Sequence, residues 1–73
     1  MNTVQDLLTV LLTCDPVKEV TTLVPHFDPI YFDSADTQPN MVYILADPDY
    51  TTILGVAETD ADNNLIKDTL NGD

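Results

Sequence analysis

The chain has 73 residues, which is enough for one domain with a thin core of about two packed layers. Eleven Asp and two Glu face two lysines and no arginine, so the net charge is −11 and direct binding to nucleic acid, which depends on Lys and Arg, is excluded. The one cysteine, Cys14, excludes an internal disulfide, and no apolar stretch approaches the roughly 20 residues of a membrane span.

The first predicted element is an N-terminal helix. Thr3 is a good N-cap, and Asp6 stands three residues later, where a capping partner belongs. The apolar residues that follow at helical spacing are Val4, Leu7, Leu8, Leu11 and Leu12. We expect the helix to end by Asp15-Pro16, because proline interrupts helical hydrogen bonding.

The central part of the chain predicts short strands. Residues 19–24 are β-branched and alternating, and Pro25 and Pro29 then confine residues 30–32 to an edge strand. After a polar loop at 33–40, Met41 to Ala46 is the clearest strand.

A hairpin and a last edge strand complete the predicted fold. The sequence at 46–50 predicts a turn, because proline fixes its dihedral angle and aspartates accept local backbone hydrogen bonds. Residues 51–58 are the partner strand, 59–64 a polar turn and 65–70 an edge strand. The predicted class is α+β, with one N-terminal helix packed on a small antiparallel sheet of four to five strands in a single domain at 1–73.

Both faces of the central hairpin are apolar. Met41, Tyr43 and Leu45 alternate with Val42, Ile44 and Ala46, and one helix covers only one face. If the helix covers the first set, then three apolar side chains are open to a partner: Val42, Ile44 and Val56. The alternative is that the proline-containing segment or a second copy covers them.

Other side chains do not form a convincing catalytic or metal site. His26 has no Ser or Cys nearby in sequence, and paired carboxylates such as Asp47 and Asp49 need a concave site that a small domain hardly offers. Asp60, Asp62 and Asn64 begin like a calcium loop, but Leu65 and Asn71 occupy the positions of its Gly and Glu. We expect no enzyme activity, cofactor or metal.

The acidic residues fall mainly in predicted loops and at strand ends, along the rims of the sheet. This group is Asp28, Asp33, Asp36, Asp47, Asp49, Glu58, Asp60 and Asp62. Carboxylates two residues apart on an extended chain repeat every ~6.6 Å, about twice the ~3.4 Å rise of DNA phosphates. The pattern therefore favours imitation of DNA, although acidity also serves solubility and suits a salty cytoplasm.

Residues 40–50, 51–58 and Leu65-Ile66-Lys67 resemble the C-terminal half of the phage uracil-DNA glycosylase inhibitor family, and residues 1–8 look like its first helix. That family is a compact helix-and-sheet protein that mimics DNA and blocks the host glycosylase. The resemblance implies that Asp47 and Asp49 match acidic groups of its hairpin turn. It also implies that the three apolar residues named above form its pocket for a protruding enzyme side chain.

The sequence departs from that family at residues 20–25, where the family has an acidic Glu-Ser strand signature followed by a Glu-rich helix. Residues 3–8 and 15–20 also resemble the openings of small phage and bacterial proteins, Thr-Val-x-Asp-Leu-Leu and Asp-Pro-x-x-x-Val.

The leading functional hypothesis is a phage-encoded DNA mimic that blocks the DNA-binding groove of a host enzyme, first of all uracil-DNA glycosylase. A second hypothesis is an inhibitor of a CRISPR effector or a restriction nuclease, and a third is an assembly domain that oligomerises through its apolar sheet face. The expected partner is a basic DNA-binding protein, without direct nucleic-acid or membrane contact. We expect a complete chain in the cytoplasm, as a monomer or small homo-oligomer.

Overall fold

The computed structural model describes residues 3–70, which form one short helix and one four-stranded sheet. The elements are helix α1 at Val4–Leu11 and strands β1 at Glu19–Leu23, β2 at Met41–Ala46, β3 at Ile53–Thr59 and β4 at Leu65–Asp68. This arrangement confirms the α+β class and the N-terminal helix. Within residues 3–70, no helix has the length and apolar character needed to cross a membrane.

Helix α1 begins at the predicted cap. The Thr3 backbone is extended, and its hydroxyl accepts a hydrogen bond from the Asp6 N–H at 3.1 Å. Leu7, Val10 and Leu11 pack toward the sheet, but no side chain of the helix is fully buried. Tertiary contacts along one stripe therefore hold the helix in place, as is usual for a helix this short.

The sheet has the order β1-β2-β3-β4 and is mixed rather than wholly antiparallel. The pairs β2–β3 and β3–β4 are antiparallel as predicted, but β1 runs parallel to β2. Parallel neighbours require the chain to return along the sheet between them. Residues 24–40, which we call the crossover segment, make this return.

The edge strand predicted at 30–32 does not form. Tyr31 instead pairs with His26 in an isolated antiparallel bridge, so its backbone N–H and C=O groups form hydrogen bonds within the crossover segment. Pro25 and Pro29 lack the N–H donors that a further ladder would need. The segment folds back on itself locally and covers the sheet without adding a strand.

Helix α1 covers the sheet face opposite to the one that was expected. Val42 and Val56 lie with Cys14 in a buried cluster beneath α1, and half-buried Ile44 packs against it. On the other face, Tyr43 and Leu45 form a second buried cluster. The apolar side chains packed against this second cluster include Phe32 of the crossover segment and Leu70.

The expectation of an exposed apolar sheet face is therefore wrong. It depended on the helix covering Met41, Tyr43 and Leu45, whereas the helix covers Val42 and Val56. Because β1 and β2 are parallel, the crossover segment must pass over one face, and it buries the face that the helix leaves uncovered.

Candidate acidic interaction surface

Acidic residues from three parts of the chain lie together at one end of the sheet. This end contains the start of β1, the start of β2 and the turn between β3 and β4, because Glu19 lies opposite Met41 and the Asn40 N–H donates to Asp60 O at 3.0 Å. We call this group the acidic end, and it consists of Glu19, Asp33, Asp36, Asp60 and Asp62.

Asn63 holds the crossover segment against the β3–β4 turn. Its side-chain amide donates to Ser34 O at 3.1 Å and accepts from the Thr37 hydroxyl at 2.9 Å. The Asn63 backbone has a φ of 63°, a left-handed conformation that asparagine tolerates better than most residues. These contacts bring Asp33 and Asp36 to the same end as Asp60 and Asp62, which are distant from them in sequence.

A groove runs along β1 at the acidic end. Two depressions of about 420 and 520 Å³ meet at Glu19, Gln38 and Met41. The first continues along β1 and includes Asp36, and the second includes Asp15. Glu19 of β1, Asp36 of the crossover segment and Asp15 of the α1–β1 connection therefore line two adjoining depressions, and Lys18 lines the second of them.

Asp60 stabilises the turn that carries it. Its carboxylate accepts hydrogen bonds from the N–H groups of Asn64 at 2.8 Å and Asp62 at 2.9 Å. The Asn64 N–H is the main cause that lowers the Asp60 pKa below its ordinary value, and the Asp62 N–H adds to it. The Asp60 carboxylate therefore stays ionised while it closes the turn.

Asp33 and Asp36 also support their own loop. Asp36 Oδ2 accepts from the Asp33 N–H at 3.1 Å, and Asp33 Oδ1 accepts from the Ala35 N–H at 2.9 Å. His26 Nε2 lies 3.3 Å from Asp36 Oδ2, which joins the His26–Tyr31 bridge to this loop.

Other carboxylates are free to meet a partner. Within residues 3–70, the side chains of Glu19, Asp28, Asp49 and Asp62 are exposed and make no hydrogen bond or ion pair. Among these, Glu19 and Asp62 belong to the acidic end.

Asp47 and Asp49 lie in the β2–β3 turn, at the opposite end of the sheet. The Asp47 carboxylate accepts from the Thr51 N–H at 2.7 Å, the Thr51 hydroxyl at 2.8 Å and the Thr52 N–H at 3.1 Å. The Thr52 N–H is the largest cause that lowers the Asp47 pKa. The structure therefore does not bring Asp47 and Asp49 together with the other predicted site residues.

Glu58 was expected on the exposed rim, and this expectation is wrong. The residue is 4% exposed and points toward the connection between α1 and β1, where Lys18 Nζ donates to its Oε2 at 2.9 Å. Burial acts to raise the Glu58 pKa, but the Lys18 hydrogen bond, the Asp15 N–H and the Lys18 charge outweigh it and lower the pKa. Glu58 is an internal ion-pair partner and is not available to another protein.

The apolar pocket expected from Val42, Ile44 and Val56 is likewise closed. Val42 is 4% exposed and Val56 is fully buried, because Leu7, Val10 and Leu11 of the helix cover them. Ile44 is half-buried against the same cluster. These residues hold the helix on the sheet.

Cys14 lies in the same cluster. It is 9% exposed, and burial, followed by the nearby charge of Glu58, raises the pKa of its thiol. A protonated, buried thiol is a poor nucleophile, so this cysteine acts as a small apolar core residue. Among residues 3–70, no three His, Cys, Asp or Glu side chains converge as a metal site would require.

Two features of the surface were missed in the sequence. Glu19 was assigned only to a strand, although its place at the start of the edge strand β1 is a signal that its acidic side chain stays solvated. The exposed apolar side chains of the crossover segment, Phe27, Ile30 and Tyr31, were assigned to an edge strand or left unassigned.

Comparison with models of known families, with curated proteins and with solved structures finds no match to this chain.

Proposed function

We propose that this protein is a DNA-mimic inhibitor that occupies the DNA-binding groove of a host enzyme, with uracil-DNA glycosylase as its first target. The observation that supports this proposal most is the acidic end, where carboxylates from separate parts of the chain lie at one end of the sheet and two of them, Glu19 and Asp36, line adjoining depressions. The protein is proposed to be phage-encoded and to act in the cytoplasm of the host cell.

The negative charge of this surface exceeds the positive charge of its neighbours. Lys18 borders the acidic end, but its side chain is only 11% exposed and its ammonium group donates to Glu58 and Thr59. Lys67 is half-buried and stands opposite Glu58 on β4. Since both lysines lie beside Glu58, the five carboxylates of the acidic end outnumber the one lysine near them, and this surface meets a partner with a net negative charge, as a phosphate backbone does.

The proposed binding depends mainly on charge, whereas the resemblance to the inhibitor family also implied an apolar pocket for an enzyme side chain. The sheet residues that correspond to the family's pocket are covered by α1, so a protruding enzyme side chain has no entry there. Electrostatic complementarity then acts mainly on the rate of association and on the choice of partner. A CRISPR effector or restriction nuclease presents the same kind of basic groove, and the assay below separates these targets.

The alternative of an assembly domain requires an open apolar sheet face. In residues 3–70 one face lies beneath α1 and the other beneath the crossover segment. This observation favours the mimic over self-association through the sheet.

The test is uracil excision from a labelled DNA duplex by purified uracil-DNA glycosylase with increasing amounts of the protein. We expect excision to stop near a one-to-one ratio and to recover as salt rises, because screening weakens contacts between exposed charges beyond ~10 Å at 0.1 M salt. Full excision in about tenfold excess of folded protein would reject the glycosylase as target. The same titration against a CRISPR effector and a restriction nuclease then tests the wider mimic class.

A further inference from the structure

The crossover segment presents a small apolar tip to solvent. Phe27 is 39% exposed and Ile30 is 45% exposed, and they flank Asp28-Pro29 at the turn between His26 and Tyr31. Tyr31 is itself 48% exposed. Single exposed apolar residues are ordinary on protein surfaces, but three within five residues of one turn form a cluster that a partner can cover.

Contacts behind the tip fix its shape. The His26 N–H donates to Tyr31 O at 2.8 Å, and the Tyr31 N–H donates to His26 O at 3.0 Å. The two rings are stacked with centroids 4.8 Å apart, and His26 also contacts Asp36. A turn held at its base in this way loses little conformational entropy on binding, which favours affinity.

The charge around the tip defines the partner that it fits. Asp28 lies within the turn, and Asp33 and Asp36 follow it on the same segment. A second copy of the chain would bring another net charge of −11 against this one. A partner with an apolar recess bordered by Lys or Arg side chains complements both the apolar side chains and the carboxylates of the tip.

We propose that Phe27 and Ile30 form an apolar anchor that inserts into a recess beside the basic groove of the inhibited enzyme. This inference rests on the proposed function, since the anchor and the acidic end are assigned to the same partner. Asp36 connects the two, because it contacts His26 at the base of the tip and also borders the groove along β1. Buried apolar anchors next to solvated charges are typical of tight interfaces, in which charge speeds association and the anchor slows dissociation.

The experiment compares two isoleucines. Ile30→Ser removes half of the anchor, whereas Ile66→Ser removes a side chain of strand β4 that is somewhat more exposed, 56% against 45%. Association and dissociation rates with uracil-DNA glycosylase are measured for both variants and for Phe27→Ser, after circular dichroism shows that each is folded. We expect Phe27→Ser and Ile30→Ser to dissociate about tenfold faster or more with association almost unchanged, and Ile66→Ser to behave like the unaltered protein.

The outcomes separate this inference from the proposed function. If the unaltered protein binds the enzyme and the tip variants dissociate at its rate, the anchor is rejected while the inhibitor stands. If the unaltered protein does not bind the glycosylase, the anchor for this enzyme and the glycosylase as target are both rejected. Sedimentation of the free protein is the second measurement: a monomer supports an anchor for a foreign partner, and a dimer that Phe27→Ser disrupts shows that the tip is a self-contact.

Discussion

Lys18 Nζ lies 2.9 Å from Glu58 Oε2, and these two residues, 40 positions apart, join the connection between α1 and β1 to the centre of the sheet. Lys18 also donates to Thr59 O at 2.8 Å, and Glu58 accepts from the Asp15 N–H at 3.2 Å. The pair therefore anchors the α1–β1 connection on β3. With both side chains almost excluded from water, each charge depends on the other.

Lys18→Met should destabilise the protein by about 3 kcal/mol, because it leaves the Glu58 carboxylate buried without its partner. Urea unfolding followed by circular dichroism measures this change. Lys67→Met is the control, since Lys67 is half-buried and stands opposite Glu58, and it should cost about 1 kcal/mol or less. Equal effects of the two substitutions would show that the Lys18 ion pair has no special role.

Val42→Asp should abolish cooperative unfolding, because the new carboxylate would lie unpaired in the Cys14 and Val56 cluster at a cost of several kcal/mol. Val20 is the matched control, since it is the neighbour of Val42 on β1 and is 60% exposed. Val20→Asp should keep the fold and cost about 1 kcal/mol or less. A folded Val42→Asp protein would mean that α1 does not cover this face.

Gly55→Ala should destabilise the protein by about 1–3 kcal/mol through overpacking. A Cβ at this position would lie 2.6 Å from Thr69 O and 2.8 Å from Thr69 C, which are backbone atoms that cannot move aside alone. The Thr69 hydroxyl also accepts the Val56 N–H at 2.7 Å, so any shift breaks a contact to β3. Thermal unfolding tests this, and an unchanged midpoint would contradict the close approach.

Acid should weaken the β2–β3 turn through Asp47. Its pKa is lowered in the folded state, chiefly by the Thr52 N–H, so its contribution is present above its unfolded pKa of about 4 and is lost as pH falls through the folded value. We expect Asp47→Asn to be less stable than the unaltered protein at about pH 7, and the difference to shrink as the pH falls below the unfolded pKa of about 4.

Asp49→Asn is the control for that comparison, because it removes the same charge from the same turn without a hydrogen bond among residues 3–70. Its stability should stay close to that of the unaltered protein across the same pH range in urea titrations. A pH-dependent difference as large as that of Asp47→Asn would show that net charge alone is responsible.

The local elements could be predicted because their signals are local. Thr3 is the N-cap of the helix, as predicted from the sequence. The apolar run Met41–Ala46 forms a strand with the predicted bounds. The strand β3 begins two residues later than predicted because Thr51 and Thr52 are engaged with Asp47 in the turn. The direction of β1 could not be predicted, since parallel pairing with β2 depends on how residues 24–40 return.

The same limit applies to the site. Exposure of Asp62 follows from its place in a polar turn, but burial of Glu58 depends on Lys18, far away in sequence. The grouping of Asp33 with Asp60 depends on the hydrogen bonds of Asn63 to Ser34 and Thr37. No local sequence pattern predicts these bonds. The charge of the surface was readable from composition, whereas its place at one end of the sheet was not.

The most direct test of the central claim is displacement of a fluorescent DNA duplex from uracil-DNA glycosylase, followed by anisotropy. We expect the unaltered protein to displace the DNA competitively, with weaker displacement at higher salt. Asp62→Asn, at the acidic end, should slow association more than Asp49→Asn, which removes an equally free carboxylate from the opposite end. DNA that stays fully bound while the protein is in large excess, or a complex that contains both, would contradict the account.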